Sequence, residues 1–372
     1  MELSSEDNLR LNVLLAQNLQ AVRIDESRMV VHALSEKGEA RVPLNPNGKD
    51  EQYLRAVRQL LSSHVLGSPG GYPRYLKRWT RMGQARDESL EKLLLLGEPE
   101  ALSAVVHARG LTDELARRAW WVEATAENAR CMLERERVTR RGMGPELAEY
   151  LVEFLPFEGD HQAMIDSIRL VLRPGLIDDQ NRQQLWNKAK RRTTYYVGFL
   201  VAAADNLPLD GMAHPDWEAV DVRLQSLIKE GNPVAIQLCR TLSAAGQGFL
   251  RVAEMALQKP ANQDVVVALL EAISGYFAAI RSGDKRPRDI DAIKQEVERS
   301  WDDSTALREV LALIPQCNGP LRAMLVLSLY SEQLVAPIFG LTDAIGTVMR
   351  KRIAPITDFT MKQFEMLRGP GG

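Results

Sequence analysis

From Asp87 to the C-terminal region, apolar residues recur at helical spacing in blocks of about ten to sixteen residues, separated by short Gly, Pro or Thr punctuation. Helices this short are marginal in water by themselves, so each must bury an apolar face against another. The expected fold class is therefore mostly α: a helical-hairpin, solenoid-like array with a small N-terminal α+β part that contains one β-hairpin. Three stretches suggest helix pairs: EPEALSAVVHARGLTDELARRAWW, TAENARCMLERERVTRRGMGPELAEYLVEFLP and DHQAMIDSIRLVLRPGLIDDQNRQQLWNKA. In each, an alanine (Ala101, Ala129, Ala163) stands early in a first helix, a polar or Gly-containing break follows, and a Leu-rich second helix closes the pair.

The first part of the chain reads differently. SSEDNLRLNVLLAQ opens with a serine and an acidic first turn and places Leu9, Val13 and Leu14 at helical spacing. AVRIDESRMVVHALSEKGEARVPLN shows two β-rich runs around a turn at Ser35 to Glu39, with Gly38 able to supply a positive φ. Helix resumes from Glu51 to Leu66 and stops at GSPGGYP. The expected organisation is 1–86 as the α+β part with its hairpin near 21–44, 87–210 as helical-hairpin repeats, and 211–372 as a further helical part continuous with them. Within the last part, helices are expected at Pro233 to Ala245, Gly248 to Leu257, Gln263 to Ile280 and Leu321 to Gln333, among others.

Charge narrows the partners. The balance of 47 basic against 49 acidic residues argues against a field over the whole surface for DNA or RNA and leaves local patches open. The three cysteines, Cys131, Cys239 and Cys317, are odd in number and far apart, so no disulfide framework is expected. MELSSEDNLRLN lacks the basic and apolar regions of a secretory signal, and the cytoplasm is the expected compartment. The most apolar window, Ala323 to Leu341, carries Glu332 and Gln333 and reads as core helix in preference to a membrane span.

No stretch carries a spaced catalytic or metal-binding set. The five histidines form no His-x-x-x-His or HExxH pattern, and CxxC, GxSxG and the Walker loop are missing. No catalytic residue, metal or cofactor is expected. Asp178–Asp179 and Asp302–Asp303 are read as helix first turns, where the dipole favours carboxylates. Cys131, in AENARCMLERE, has the most charged surroundings of the three cysteines, yet core or boundary packing is its expected role, because a reactive thiol needs both exposure and a nearby positive field. Of the neighbouring Trp120 and Trp121, one is expected inside and one near a rim.

Two basic clusters are the candidate partner-binding residues. YPRYLKRWTR puts its aromatics on one helical side and Arg74, Lys77, Arg78 and Arg81 on the other. NKAKRRT brings Lys188, Lys190, Arg191 and Arg192 to a helix C-terminus, where the dipole favours cations. Each is open to three readings: a solvated face, contact with an acidic protein partner, or contact with nucleic-acid phosphate.

At LGEPEALSAVVHARGLTDELARRAWWVEATAENARCMLE (Leu96 to Glu134), AEYLVEFLPFE (Ala148 to Glu158) and YYVGFL (Tyr195 to Leu200), the chain resembles the sulfur reduction protein DsrS family. That family accompanies the dissimilatory sulfite reductase gene cluster of sulfur-oxidising bacteria. It has no catalytic signature, so no functional residue is carried over. The resemblance implies a soluble cytoplasmic accessory or regulatory protein of sulfur oxidation. Three functional readings follow: a non-enzymatic protein acting by protein–protein contact, a nucleic-acid-binding regulator using the basic clusters, and a sulfur-transfer protein or other enzyme whose site assembles from distant residues.

Overall fold

The computed structural model describes residues 2–68, 87–340 and 345–368. The fold is mostly α with a small N-terminal antiparallel sheet, as expected, and its contacts divide the chain into two units, Met1–Phe154 and Leu155–Gly372.

The first unit opens with α1 (Ser5–Leu15), whose N-terminus is capped by the Ser4 hydroxyl accepting from the Asp7 N–H at 3.2 Å. Its buried stripe is Leu11, Leu14 and Leu15, whereas Leu9 and Val13 are 67% and 58% exposed. The helix is thus turned relative to the sequence reading, because Asp7 is drawn fully inside. There the Tyr53 hydroxyl donates to the carboxylate at 2.5 Å, the Asn45 backbone N–H at 2.7 Å and the Asn45 side-chain amide at 3.4 Å, so the buried group is held by three donors.

The sheet runs β1 (Leu19–Asp25), β2 (Val30–Ser35) and β3 (Gly38–Pro43), in that order. The expected hairpin is its β2–β3 half, with Gly38 at φ 111° starting the return strand. The run before it is not one strand but two. Asp25 folds it back by accepting from the Ser27 hydroxyl at 2.7 Å and the Arg28 N–H at 3.0 Å, and Met29 takes a φ of 51°. A carboxylate that bonds the backbone three residues on builds a turn inside a β-rich sequence without Gly or Pro. Val22, Val31, Ala33 and Val42 line the inner face and meet Leu11, Leu14, Tyr53, Val57 and Leu61 of α1 and α2 (Asp50–Leu66).

The unit continues with α3 (Asp87–Leu93), α4 (Pro99–Val106), α5 (Asp113–Val122), α6 (Ala126–Leu133), α7 (Glu136–Thr139) and α8 (Met143–Phe154). Thr112 and Thr125 cap α5 and α6 by accepting from the N–H three residues on. Ala101 and Ala129 are fully buried, which lets α4 and α6 lie close, and α5 packs on β1. Both tryptophans of α5 are half-buried: Trp120 meets Tyr150 edge-on at 4.8 Å, and Trp121 lies under Arg23.

The second unit comprises α9 (His161–Val171), α10 (Asp179–Ala189), α11 (Thr193–Ala202), α12 (Trp217–Lys229), α13 (Pro233–Leu242), α14 (Ala244–Gln258), α15 (Gln263–Tyr276), α16 (Ile290–Asp303), α17 (Thr305–Leu313), α18 (Asn318–Ser328), α19 (Ala336–Phe339) and α20 (Gly346–Leu367). Helix α11 is buried from Thr194 to Leu200 and packs against α9, α10, α14 and α15. An apolar run on every side is what such a position requires. Helix α20 packs on α14 and α18, and the buried Tyr330 and Thr360 hydroxyls meet at 2.9 Å. Helices far apart in sequence therefore touch, a denser network than the neighbour-to-neighbour stacking of a solenoid alone.

Several boundaries move for local reasons. Ser243 alone separates α13 from α14, closing the first with its backbone and capping the second with its hydroxyl. Asp302 and Asp303 end α16, and Ser304 caps α17 instead. Asp178 does open a helix, accepting from the Asn181 N–H at 2.7 Å. Among the described residues no helix is long and apolar enough to cross a membrane, and in the window Ala323 to Leu341 helix α18 ends at Ser328.

Candidate functional site

Arg74, Lys77, Arg78 and Arg81 lie outside the described residues. Lys188, Lys190, Arg191 and Arg192 are exposed at the end of α10, as the dipole favours. Arg192 donates to the Pro156 carbonyl at 3.2 Å. Lys188, Lys190 and Arg191 make no ion pair or side-chain hydrogen bond among the described residues.

A candidate recognition surface lies elsewhere, in the first unit, along the outer edge of β1. The Val22 N–H donates to the Leu94 carbonyl at 2.8 Å, so this side of Val22 faces away from β2. Ile24 presents its backbone N–H and C=O in the same direction two residues on, and neither has a backbone partner among the described residues. Beside this bare edge lies a cavity of about 470 Å³. Its apolar lining includes Ile24, Leu94, Pro99, Leu102 and Val122. Gly97 shapes one wall: at φ 63°, with a would-be Cβ 2.9 Å from the Ile24 side chain, it lets the α3–α4 loop press onto the strand where any other residue is strained and clashes.

The rim is charged and of both signs. Arg23, His32 and Arg41 stand directly opposite one another on the outer sheet face, a cross-strand row of cationic and titratable groups. His32 separates the two guanidinium groups, so Arg23 and Arg41 flank it on the two outer strands of one face. Arg23 is fixed by Trp121, whose ring centroid is 5.0 Å away and whose carbonyl accepts from it at 3.3 Å, while the Trp121 indole N–H donates to the Glu39 carboxylate. Arg58 pairs with Glu26, and its buried Nε has no hydrogen-bond partner among the described residues. Asp25 is held below its ordinary carboxylate range, first by the Ser27 hydroxyl and then by the Arg28 N–H. This arrangement offers backbone pairing, apolar contact and fixed charge, the elements of recognition.

A second hollow, of about 590 Å³ and within the second unit, is walled by Ile165, Leu200, Val201 and Val267. Arg240 lines it, gripping Asp205 through two bonds of 2.7 Å and lying 3.9 Å over the Tyr276 ring. The buried Tyr276 hydroxyl has no hydrogen-bond partner among the described residues.

One juxtaposition escapes sequence reading altogether. In the first unit, His107, the C-cap of α4, sits with Nε2 3.3 Å from the Cys131 Sγ on α6. The residues are far apart in sequence, and only the packing of α4 on α6 unites them. Burial pushes the Cys131 thiol up, with Glu127 adding to the effect and Arg130 and Arg135 opposing it. Cys239 and Cys317 are buried, and burial raises both thiols, that of Cys239 to about 12. Among the described residues no three His, Cys, Asp or Glu side chains group so as to hold a metal ion. No family model matches the chain, and no curated protein or solved structure matches it.

Proposed function

We propose that this protein is a non-enzymatic cytoplasmic accessory or regulatory protein of bacterial sulfur oxidation that acts by protein–protein contact. The pathway rests on the resemblance of Leu96 to Glu134, Ala148 to Glu158 and Tyr195 to Leu200 to the DsrS family. The mode of action rests on the bare edge of β1. An extended segment of a partner adds there as a fourth strand, bonding to the Ile24 N–H and C=O. Its apolar side chains enter the cavity beside Leu102 and Val122, and its acidic ones are drawn to Arg23, His32 and Arg41.

The test is affinity purification from a sulfur-oxidising host with the wild type and an Arg28→Glu/Arg41→Glu variant. Both positions are exposed and outside the core, so the variant should keep the wild-type melting temperature. Wild type is expected to recover proteins of the sulfite-reductase pathway and the variant to lose them. Equal recovery by both proteins, or recovery of nothing from that pathway, overturns the reading. Salt-sensitive capture of a nucleic-acid duplex by wild type alone would move the function to a nucleic-acid-binding regulator.

A further inference from the structure

The His107–Cys131 pair has the parts of a base-assisted nucleophile. His107 Nδ1 lies 2.8 Å from the Ser103 backbone carbonyl, which can only accept, so Nδ1 carries the ring proton. Nε2 therefore presents its lone pair to the Cys131 thiol at 3.3 Å. The Ser103 carbonyl thus orients the ring, and the Arg135 guanidinium ties down the main chain beside it by donating to the His107 backbone carbonyl at 2.9 Å. Nucleophile, base and orienting group stand in the order that activates a thiol. His107 is exposed and Cys131 half-buried, so the pair opens to solvent, whereas Cys239 and Cys317 are buried.

We propose that Cys131 is a thiol–disulfide exchange site, with His107 as the base that takes its proton and a small-molecule disulfide, R–S–S–R, as the co-substrate. The thiol proton passes to His107 Nε2, and the thiolate attacks one sulfur of R–S–S–R. The Cys131 S–S–R bond forms as the old S–S bond breaks, and the leaving R–S⁻ takes the proton back from Nε2. Cys131 and one R–S unit exchange oxidation state, and the number of disulfides is unchanged.

The surroundings select this reaction over acyl transfer. Cys131 lies in the last turn of α6, the carbonyl end of the helix, where the backbone presents acceptors and not the N–H donors that an acyl-transfer oxyanion needs. Exchange needs none: its negative charge spreads over three sulfurs, and Arg130 and Arg135 offset part of the opposing effect of Glu127 and Glu134. The raised thiol explains the need for His107, because a sulfur that is protonated at rest attacks only when a base removes its proton.

The experiment treats the whole protein with an excess of an aromatic disulfide that releases a coloured thiolate, and maps the modified cysteine by peptide mass. Cys131 is expected to react first, about tenfold or more faster than Cys239 and Cys317. His107→Gln should slow Cys131 by about tenfold or more, and Cys131→Ser should abolish the fast phase. In denaturant, wild type and His107→Gln should react at the same rate, showing that the difference belongs to the folded pair. Across neutral pH the His107→Gln rate should climb more steeply than that of wild type, since it depends on spontaneous thiolate alone. A Cys131 no faster than the buried cysteines, or a His107→Gln rate equal to wild type, overturns the proposal. Oxidised glutathione, followed by intact mass, then tests a natural disulfide on the same variants.

Discussion

Single residues carry costs here that the sequence shows only in part. Asp7 stands in the acidic first turn that the sequence announces, yet its burial under Tyr53 depends on a residue from another helix. Replacing Tyr53 with Phe should cost about 1–3 kcal/mol, read as a lowered midpoint in denaturant unfolding, because the carboxylate stays buried with one donor fewer. Cys239 makes a prediction in pH. Its folded thiol is raised from an ordinary value of 9.0 to about 12, chiefly by burial and then by Asp221. The folded state thus holds a proton that the unfolded state releases. The associated stability is complete below pH 9, falls as pH rises toward 12, and changes by at most about 1.4 kcal/mol per pH unit. Cys239→Ala should flatten that alkaline decline in thermal melts. The Cys131–His107 pair was illegible for a plain reason: spacing rules find ligands on one helix or one loop, and these two residues meet only after α4 packs on α6.

Elements were most legible where side chains close helices. Ser4, Thr112, Thr125, Asp160, Asp178, Asn262 and Asp289 each accept from an N–H in the first turn, and such residues are visible in sequence because the chemistry is local. Boundaries set by tertiary packing were less visible. The turn that splits β1 from β2 contains no Gly or Pro, and Asp302–Asp303 resembles a helix start although Ser304 supplies the cap. Asn232 shows both levels at once. Its side-chain oxygen accepts from the Val234 and Ala235 N–H groups at 3.0 Å, and its amide donates to the Ala306 carbonyl at 3.1 Å and the Glu309 carboxylate at 2.9 Å. The cap of α13 therefore also ties down α17. Asn232→Ala should cost about 2 kcal/mol or more, above a surface cap, whereas Ser243→Ala should cost about 1 kcal/mol. Equal losses in chemical denaturation would show that the link to α17 contributes nothing.

At the scale of the whole molecule, composition and periodicity carry the mostly helical class, while the pairing of distant helices around α11 depends on tertiary packing that no local pattern encodes. The second unit has its own core, with Trp186 meeting Tyr196 and Phe199 at 5.0 Å each. Residues 155–372 expressed alone are expected to melt as one cooperative transition, and a broad, non-cooperative melt would contradict that independence. The bare rim of β1 has one more consequence. Open strand edges are templates on which identical molecules zip together, and nature guards them with ionised side chains. Arg23, Asp25, Glu26 and Arg28 crowd this rim, and stripping them to alanine should convert a well-behaved solution into one that scatters light and binds amyloid dyes.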